Sequence, residues 1–120
     1  MKSVKILGET YTIIKKKYDE EESFARSNIS GFCDGWTKQI VYCDMDTFKD
    51  WENEPDGTKR GYEKQTLRHE IVHAFLNESG LMECSETHDG PWAHHEEMVD
   101  WIASQGAKIY KAWEEAEYLP

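Results

Sequence analysis

Residues 68–75, RHEIVHAF, place two histidines and a glutamate where they could hold and use a metal ion. His69 and His73 are four residues apart, a spacing that brings both side chains onto one face of a helix, one turn apart. Two imidazoles in that arrangement can bind one zinc ion, and Glu70 stays close to the ion without having to coordinate it. The segment therefore predicts a zinc site, against the alternative of two exposed histidines on an ordinary surface helix.

The third zinc ligand has to come from elsewhere in the chain, because a catalytic zinc site normally takes three protein ligands. Leu76 and Ser79 stand where a metzincin would have its glycine and third histidine, which excludes that class. Further along, HHEEMVDW places Glu96 and Asp100 four residues apart on one side of a second predicted helix. Glu96 could bind the metal while Asp100 accepts the N–H of a ligating histidine. The downstream alternatives are His88, Asp89, His94, His95 and Glu97, the last of which is predicted to lie in solvent.

Strand patterns dominate the first part of the chain. Alternating β-branched and polar residues on both sides of Gly8-Glu9 predict a β-hairpin. Residues 38–43 form a second strong strand pattern, and the charged run before it could be a short helix or a solvated connector.

Helical patterns dominate the second part. After a break at residues 55–57, a helix is predicted over residues 62–79, with Gly80 as its C-terminal stop. A loop is predicted over residues 81–93, and a last helix runs from about Pro91 to about Ala116. Strands followed by two long helices indicate an α+β fold over residues 1–120, a single domain in which a small sheet packs against both helices.

Composition limits the partners of this domain. The 24 acidic residues outnumber 14 Lys and Arg, and the net charge of −10 disfavours a nucleic-acid partner. No segment is long and apolar enough for a membrane span, and no secretion signal is visible. Three cysteines without a close pair indicate reduced thiols. We therefore expect a cytoplasmic protein, with a monomer favoured.

The two motifs together resemble the gluzincin clan of zinc metallopeptidases. HExxH followed by ExxxD on a second helix is its pattern, and the small size is similar to the single-domain minigluzincins and to short phage and prophage metallopeptidases. The resemblance covers roughly residues 31 to 113 and includes GWTKQIVY as a strand ahead of the site helix. It implies a minimal zincin-like domain in which residues 38–43 form an edge strand that pairs with an extended substrate. By the same resemblance, the domain is expected to lack the C-terminal subdomain of the larger relatives.

The same resemblance implies the roles of the site residues. His69, His73 and Glu96 would bind Zn²⁺, Glu70 would be the general base, and Asp100 would orient a ligating histidine. The protein would then be a zinc-dependent endopeptidase that hydrolyses peptide bonds through a water bound to the metal. The histidine that stabilises the oxyanion in larger relatives has no assignable counterpart, although His88, His94 or His95 could supply that donor.

Two other classes of function stay open on the sequence alone. One is a zinc-stabilised binding module that keeps the metal site but cleaves nothing. The other is an acidic protein that mimics nucleic acid to occupy a basic partner.

Overall fold

The computed structural model describes residues 2–84, 86–87 and 90–116. A four-stranded sheet is formed early in the chain and two long helices follow it. The strands are β1 (Lys2–Ile6), β2 (Glu9–Lys16), β3 (Gly31–Asp34) and β4 (Gln39–Cys43), with a two-residue pair, β5 (Glu86–Thr87) and β6 (Gly90–Pro91). The helices are α1 (Glu22–Arg26), α2 (Asp56–Glu78), α3 (Leu81–Cys84) and α4 (Glu96–Glu115). The predicted α+β class, a small sheet with two long helices, is confirmed. Both helices were expected to pack against the sheet, but α2 is the one that does so, and α4 packs mainly on α2.

The first two strands form the expected hairpin. They pair antiparallel from Lys2 opposite Ile13 to Ile6 opposite Glu9. The turn is Leu7-Gly8, one residue earlier than the predicted Gly8-Glu9 break, and both turn residues have positive φ (49° and 92°). Two successive positive φ angles are what a tight two-residue hairpin turn requires, and glycine adopts the second one without steric cost.

The strand order β1-β2-β4-β3 corrects one prediction from the resemblance. Residues 38–43 were expected to form an edge strand, but β4 lies inside the sheet, parallel to β2 and antiparallel to β3. The reason is visible in its side chains: Ile40, Val41 and Cys43 are at most 1% exposed, so both faces of β4 are covered. Strands buried on both faces read as continuous apolar runs and belong in the middle of a sheet. The edge strand beside α2 is β3.

Each face of the sheet has its own hydrophobic core. The face toward α2 buries Ile6, Tyr11, Ile13 and Ile40 against Ala74, with Leu67 and Ile71 at its margin. The opposite face buries Phe24, Val41, Cys43 and Met45. Phe24 comes from α1, so the charged run before β3 is a short helix that contributes a fully buried aromatic ring to the second core.

Helix α2 begins at Asp56, not at residue 62 as the sequence predicted. Pro55 starts the helix instead of only breaking the chain, since its fixed φ is compatible with a helix start and its missing N–H is not needed there. The buried side chain of Glu63, 7% exposed, anchors the first turns of the helix. Its carboxylate accepts a hydrogen bond from the backbone N–H of Met45 at 2.9 Å and forms an ion pair with Lys15 at 3.2 Å. The predicted stop at Gly80 is confirmed by its φ of 85°.

The segment between the long helices is more structured than the predicted loop. Its described residues include α3, the β5/β6 pair and a 3-10 turn, Trp92–His94. Helix α4 therefore starts at Glu96 and not near Pro91, with His95 as its N-cap. The ring Nδ1 of His95 accepts a hydrogen bond from the backbone N–H of Met98 at 3.4 Å. This bond satisfies one of the N–H groups that the first turn of a helix leaves without a backbone partner.

Gly31 is required where β3 crosses α2. A Cβ at this position would lie 2.6 Å from the Thr66 methyl and 3.0 Å from the Val41 carbonyl oxygen. We expect Gly31→Ala to lower the free energy of unfolding by about 1–3 kcal/mol, because overpacking forces strand and helix apart. Urea denaturation measures the change.

The matched control for this substitution is Gly61→Ala. A Cβ at Gly61, within α2, meets nothing within 4 Å. The same substitution should there raise the free energy of unfolding by about 0.5–1 kcal/mol through helix propensity. Equal effects at the two glycines would contradict the close approach of β3 to α2.

Candidate metal centre

Helix α2 supplies the first three side chains of the candidate site. His69, Glu70 and His73 lie on consecutive turns of the helix face that meets β3 and α4, and one ligand atom of each lies within 4.8 Å of the others. Glu70 and His73 are 7% and 8% exposed. The spacing predicted only that the two histidines lie side by side on one helix face, and the packing of the neighbouring elements is what buries His73 and Glu70.

The first two turns of α4 add two carboxylates, those of Glu96 and Asp100. Glu96 Oε2 lies 2.8 Å from His69 Nε2, and Glu96 Oε1 lies 3.2 Å from His73 Nε2. The two Nε2 atoms are 3.2 Å apart. The fold therefore brings together the five residues that the sequence singled out, from two helices that are separated by the whole α3–β6 segment.

Asp100 determines which nitrogen of His69 faces the cluster. Its Oδ1 lies 2.5 Å from His69 Nδ1. A carboxylate at that distance accepts the Nδ1 proton, so the neutral ring leaves Nε2 without a proton and able to donate its lone pair to a metal. The same hydrogen bond fixes the plane of the ring.

The donor set fits a zinc ion. Zinc is bound by imidazole nitrogen and carboxylate oxygen at about 2.0–2.1 Å, so two ligands of a tetrahedral ion are separated by about 3.3 Å. The separations among His69 Nε2, His73 Nε2 and the Glu96 oxygens range from 2.8 to 3.4 Å. Glu70 is farther away, with Oε2 at 4.0 Å from His69 Nε2. These distances favour Glu96 over Glu70 as the third ligand.

Glu70 has an unusual environment for a carboxylate. Burial raises its pKa to about 7, against a lowering effect of His69, and the charges of Glu96 and Asp100 raise it further. A carboxyl group that is removed from solvent and has a pKa near neutral can both accept and release a proton.

The site opens into a cavity of about 530 Å³ between α2 and β3. One wall is α2, from Tyr62 to Asn77, and the other is the chain from Asn28 to Cys33. The candidate metal centre lies along the α2 wall, closed by the first turn of α4.

One edge of β3 pairs with β4, and its other edge has no strand beside it. This free edge borders the cavity. The backbone carbonyl oxygen of Ser30 accepts a hydrogen bond from the backbone N–H of Cys43, at 2.8 Å. The main-chain groups of Ser30 therefore point toward β4. Because N–H and C=O groups alternate in direction along an antiparallel strand, those of Gly31 and Cys33 point to the free edge. Both residues line the cavity.

Sequence reasoning missed this edge strand and the cavity wall it forms. The signal that could have found it is GFCDG, a short run bounded by glycines ahead of the apolar β4 pattern. Cys33 is in this wall, where burial, followed by the charge of Glu70, raises its thiol pKa to about 12. Cys43 is also a free thiol with a pKa raised by burial to about 11, so both are protonated at neutral pH.

The alternative ligands whose side chains the structure describes lie outside the cavity lining. Glu97 is exposed, as predicted, and does not line the cavity. His95 is exposed and caps α4. His88 and Asp89 lie outside the described residues, and so do the side chains of His94 and Cys84.

Comparison with protein-family models, with curated proteins and with solved structures finds no significant match to this chain. None of the helices in the described part of the chain combines the length and apolar character needed to cross a lipid bilayer.

Asp100 provides a sharp test of the centre. Asp100→Asn keeps the size of the side chain but weakens the acceptor for the His69 Nδ1 proton, so we expect zinc affinity to fall by about 10- to 100-fold. Titration with zinc in competition with a chromophoric chelator measures this, and circular dichroism checks the fold.

The matched control is Glu97→Gln, which removes a charge from the same helix turn at an exposed position. It should leave zinc affinity within about twofold of the original protein. If the two substitutions have the same effect, Asp100 does not orient a metal ligand.

Proposed function

We propose that the protein is a zinc-dependent peptidase of the gluzincin type. The observation that carries this proposal is the convergence of His69 Nε2, His73 Nε2 and the Glu96 carboxylate within 2.8–3.4 Å, beside a buried glutamate in a cavity. A catalytic zinc site needs an open position for a water molecule and a proton acceptor beside it. The cavity beside the cluster and the buried Glu70 are suited to these two roles.

His69, His73 and Glu96 would hold the zinc ion, with Asp100 keeping His69 in the ligating tautomer. When bound, zinc supplies a water nucleophile at neutral pH and polarises the carbonyl group to be attacked. The α4 helix contributes to this centre through its first two turns, so its docking on α2 determines whether Glu96 and Asp100 are in reach.

Glu70 would act as the proton acceptor. It lies in the lining of the cavity, one residue from His69, and its carboxylate is near the converging donors without being the nearest oxygen to them. In this role it takes a proton from the attacking water and later gives it to the departing amine.

The substrate would bind along β3 and not along residues 38–43. The outward N–H and C=O groups of Gly31 and Cys33 can pair with an extended peptide, which would join the sheet as an additional strand. Main-chain pairing of this kind accepts many sequences and places a peptide bond across the cavity, toward the histidines.

Zinc analysis combined with a cleavage assay tests the proposal. Protein purified without added metal should contain about one zinc per chain and should cleave an unfolded protein such as reduced casein. Removal of zinc with a chelator should stop cleavage, and added zinc should restore it. One equivalent of zinc without any cleavage would point to the binding module instead, and absence of zinc would overturn the proposal.

A further inference from the structure

Helix α4 is apolar on two sides. Its inner side packs on α2 and carries the buried residues Val99 and Ala103. With about 100° between successive residues, a second apolar arc about 120° wide lies on the outer side of the helix. Its apolar members are Met98, Trp101, Ile102, Ile109, Ala112 and Trp113. Gln105 is the polar residue within this outer arc, and none of the charged residues of α4 falls in it. A helix that is apolar on both sides is normally covered on both sides.

The outer arc is exposed to solvent. Trp101 and Trp113 are 58% and 55% exposed, and Ile102 is 37% exposed. Met98 and Ile109 are partly exposed. Since a tryptophan side chain offers about 250 Å² in all, these five side chains leave roughly 400 Å² of apolar surface in contact with water on each chain. Apolar patches of a few hundred Å² on a small protein are often contact surfaces.

Two outer arcs together have the apolar surface of a stable protein interface. Such interfaces bury about 1,200–2,000 Å² in total, of which about 56–65% is apolar. Two facing arcs bury roughly 800 Å² of apolar surface, which lies within the range of about 700–1,300 Å² that these figures give. The surface that one chain leaves exposed therefore matches what a second copy of the chain needs to cover it.

The order of residues along the outer arc has the symmetry of a two-fold axis. In an antiparallel pair of identical helices with the axis at the middle of the arc, each contact occurs twice. Residue 102 of one helix then lies opposite residue 109 of the other, and residue 98 lies opposite residue 113. Ile102 therefore meets Ile109, and Met98 meets the ring of Trp113, a contact that is favourable for a thioether.

Charge favours the antiparallel direction over the parallel one. The first two turns of α4 carry Glu96, Glu97 and Asp100, whereas the next three turns carry Lys108 and Lys111 and no acid. A parallel pair would bring the acidic turns of both copies together. An antiparallel pair places the acidic end of each helix beside the half of the other helix that carries the lysines.

Gly106 lies at the crossing point of such a pair. A Cβ at this position would meet nothing within 4 Å in the chain, so packing within one copy does not require a glycine there. Glycine in the interior of a helix is less favourable than alanine. At the crossing of two helices, however, the absence of a side chain lets the backbones approach closely.

We propose that the protein is a homodimer in which the outer arcs of two α4 helices pack antiparallel about a two-fold axis near Gln105 and Gly106. This differs from the monomer expected from the sequence, and it does not depend on the proposed function.

Sedimentation equilibrium of the purified protein tests the dimer. The unmodified protein should show twice the chain mass of 14.1 kDa. Ile102→Glu places a charge in the centre of the apolar contact and should raise the dimer Kd by at least about 100-fold. Ser104→Glu adds the same charge at an exposed position of α4 outside the outer arc and should change the Kd by less than about threefold. A monomeric unmodified protein, or an equal Kd for the two variants, would overturn the inference.

Trp113 allows the same test without an added charge. Because its side chain is more than half exposed, its removal leaves the packing within one chain intact, which circular dichroism checks. Trp113→Ala should raise the dimer Kd by about tenfold or more. The matched control is Trp36→Ala, which removes a tryptophan that is 93% exposed in the turn between β3 and β4 and should leave the Kd within about twofold. Equal effects of the two substitutions would place the interface elsewhere and overturn the inference.

Cysteine crosslinking tests the direction of the helices. In the antiparallel pair, the two copies of residue 105 lie next to each other across the axis, whereas the two copies of residue 98 are about 22 Å apart along the helices. Mild oxidation should therefore link two chains of Gln105→Cys through a disulfide but not two chains of Met98→Cys, with the unmodified protein as the baseline. Crosslinking at both positions or at residue 98 alone would overturn the antiparallel arrangement.

Discussion

Replacing Glu70 with glutamine is expected to lower kcat/KM for peptide hydrolysis by about 10²- to 10⁴-fold while zinc and fold are retained. The amide has nearly the shape of the carboxyl group but cannot accept the proton of the attacking water. Because burial already raises the pKa of Glu70 to about 7, a neutral side chain at this position should not destabilise the fold. Steady-state cleavage of a quenched fluorescent peptide measures the loss, with metal content and thermal unfolding measured on the same sample.

The control for this variant is Glu97→Gln, the same chemical change at an exposed position of α4 outside the cavity. It should retain the original rate. Cleavage by Glu70→Gln at the rate of the unmodified protein would show that another group accepts the proton, and loss of zinc from this variant would make Glu70 a ligand instead of a base.

The double variant His69→Ala, His73→Ala is expected to lose zinc completely, from about one equivalent per chain to none, and with it all peptide hydrolysis. Each substitution removes a nitrogen that lies within 3.2 Å of the other and within reach of Glu96. Glu96 and Glu70 alone cannot provide the three ligands that a zinc site of this type needs. Metal analysis after dialysis against a weak chelator measures the loss.

Unfolding temperature provides a second measurement on the double variant. Added zinc should raise the unfolding temperature of the unmodified protein and not that of the variant, because a ligand that binds only the folded state stabilises it. His95→Ala is the matched control: its ring caps α4 and lies outside the cavity lining, so zinc content should be kept. Stoichiometric zinc in the double variant would overturn the assignment of the site.

Stabilisation by zinc is also expected because few side chains of α4 are buried against the rest of the protein. Of its 20 residues, Val99 and Ala103 are the buried ones, and Trp101 and Trp113 are more than half exposed. The contacts of Glu96 and Asp100 with His69 and His73 therefore add to a modest apolar contact in positioning this helix. A metal ion held by both helices would fasten α4 to α2, and hydrogen exchange of α4 amides should slow when zinc is added.

Local features of this protein were determined by the sequence. The spacing of His69 and His73 places both rings on one helix face whatever the surroundings, since the helical repeat is set by backbone hydrogen bonds between near neighbours. The positive φ of Gly80 and the hairpin before residue 16 likewise depend on a few consecutive residues. The pairing of Glu96 with Asp100 at one helical turn was visible for the same reason.

Long-range features were decided only by the tertiary structure. Whether an apolar strand is central or at an edge depends on which strands flank it, and β4 is central because β2 and β3 pair on its two sides. On a helical wheel of α2, Glu70 lies on the polar side with the two histidines. It is nevertheless buried, because β3 and the start of α4 pack next to that side of the helix. The approach of Glu96 to the two histidines has the same origin. A helical wheel gives the direction of a side chain, but burial and metal-ligand distances depend on where the other elements of the chain are packed.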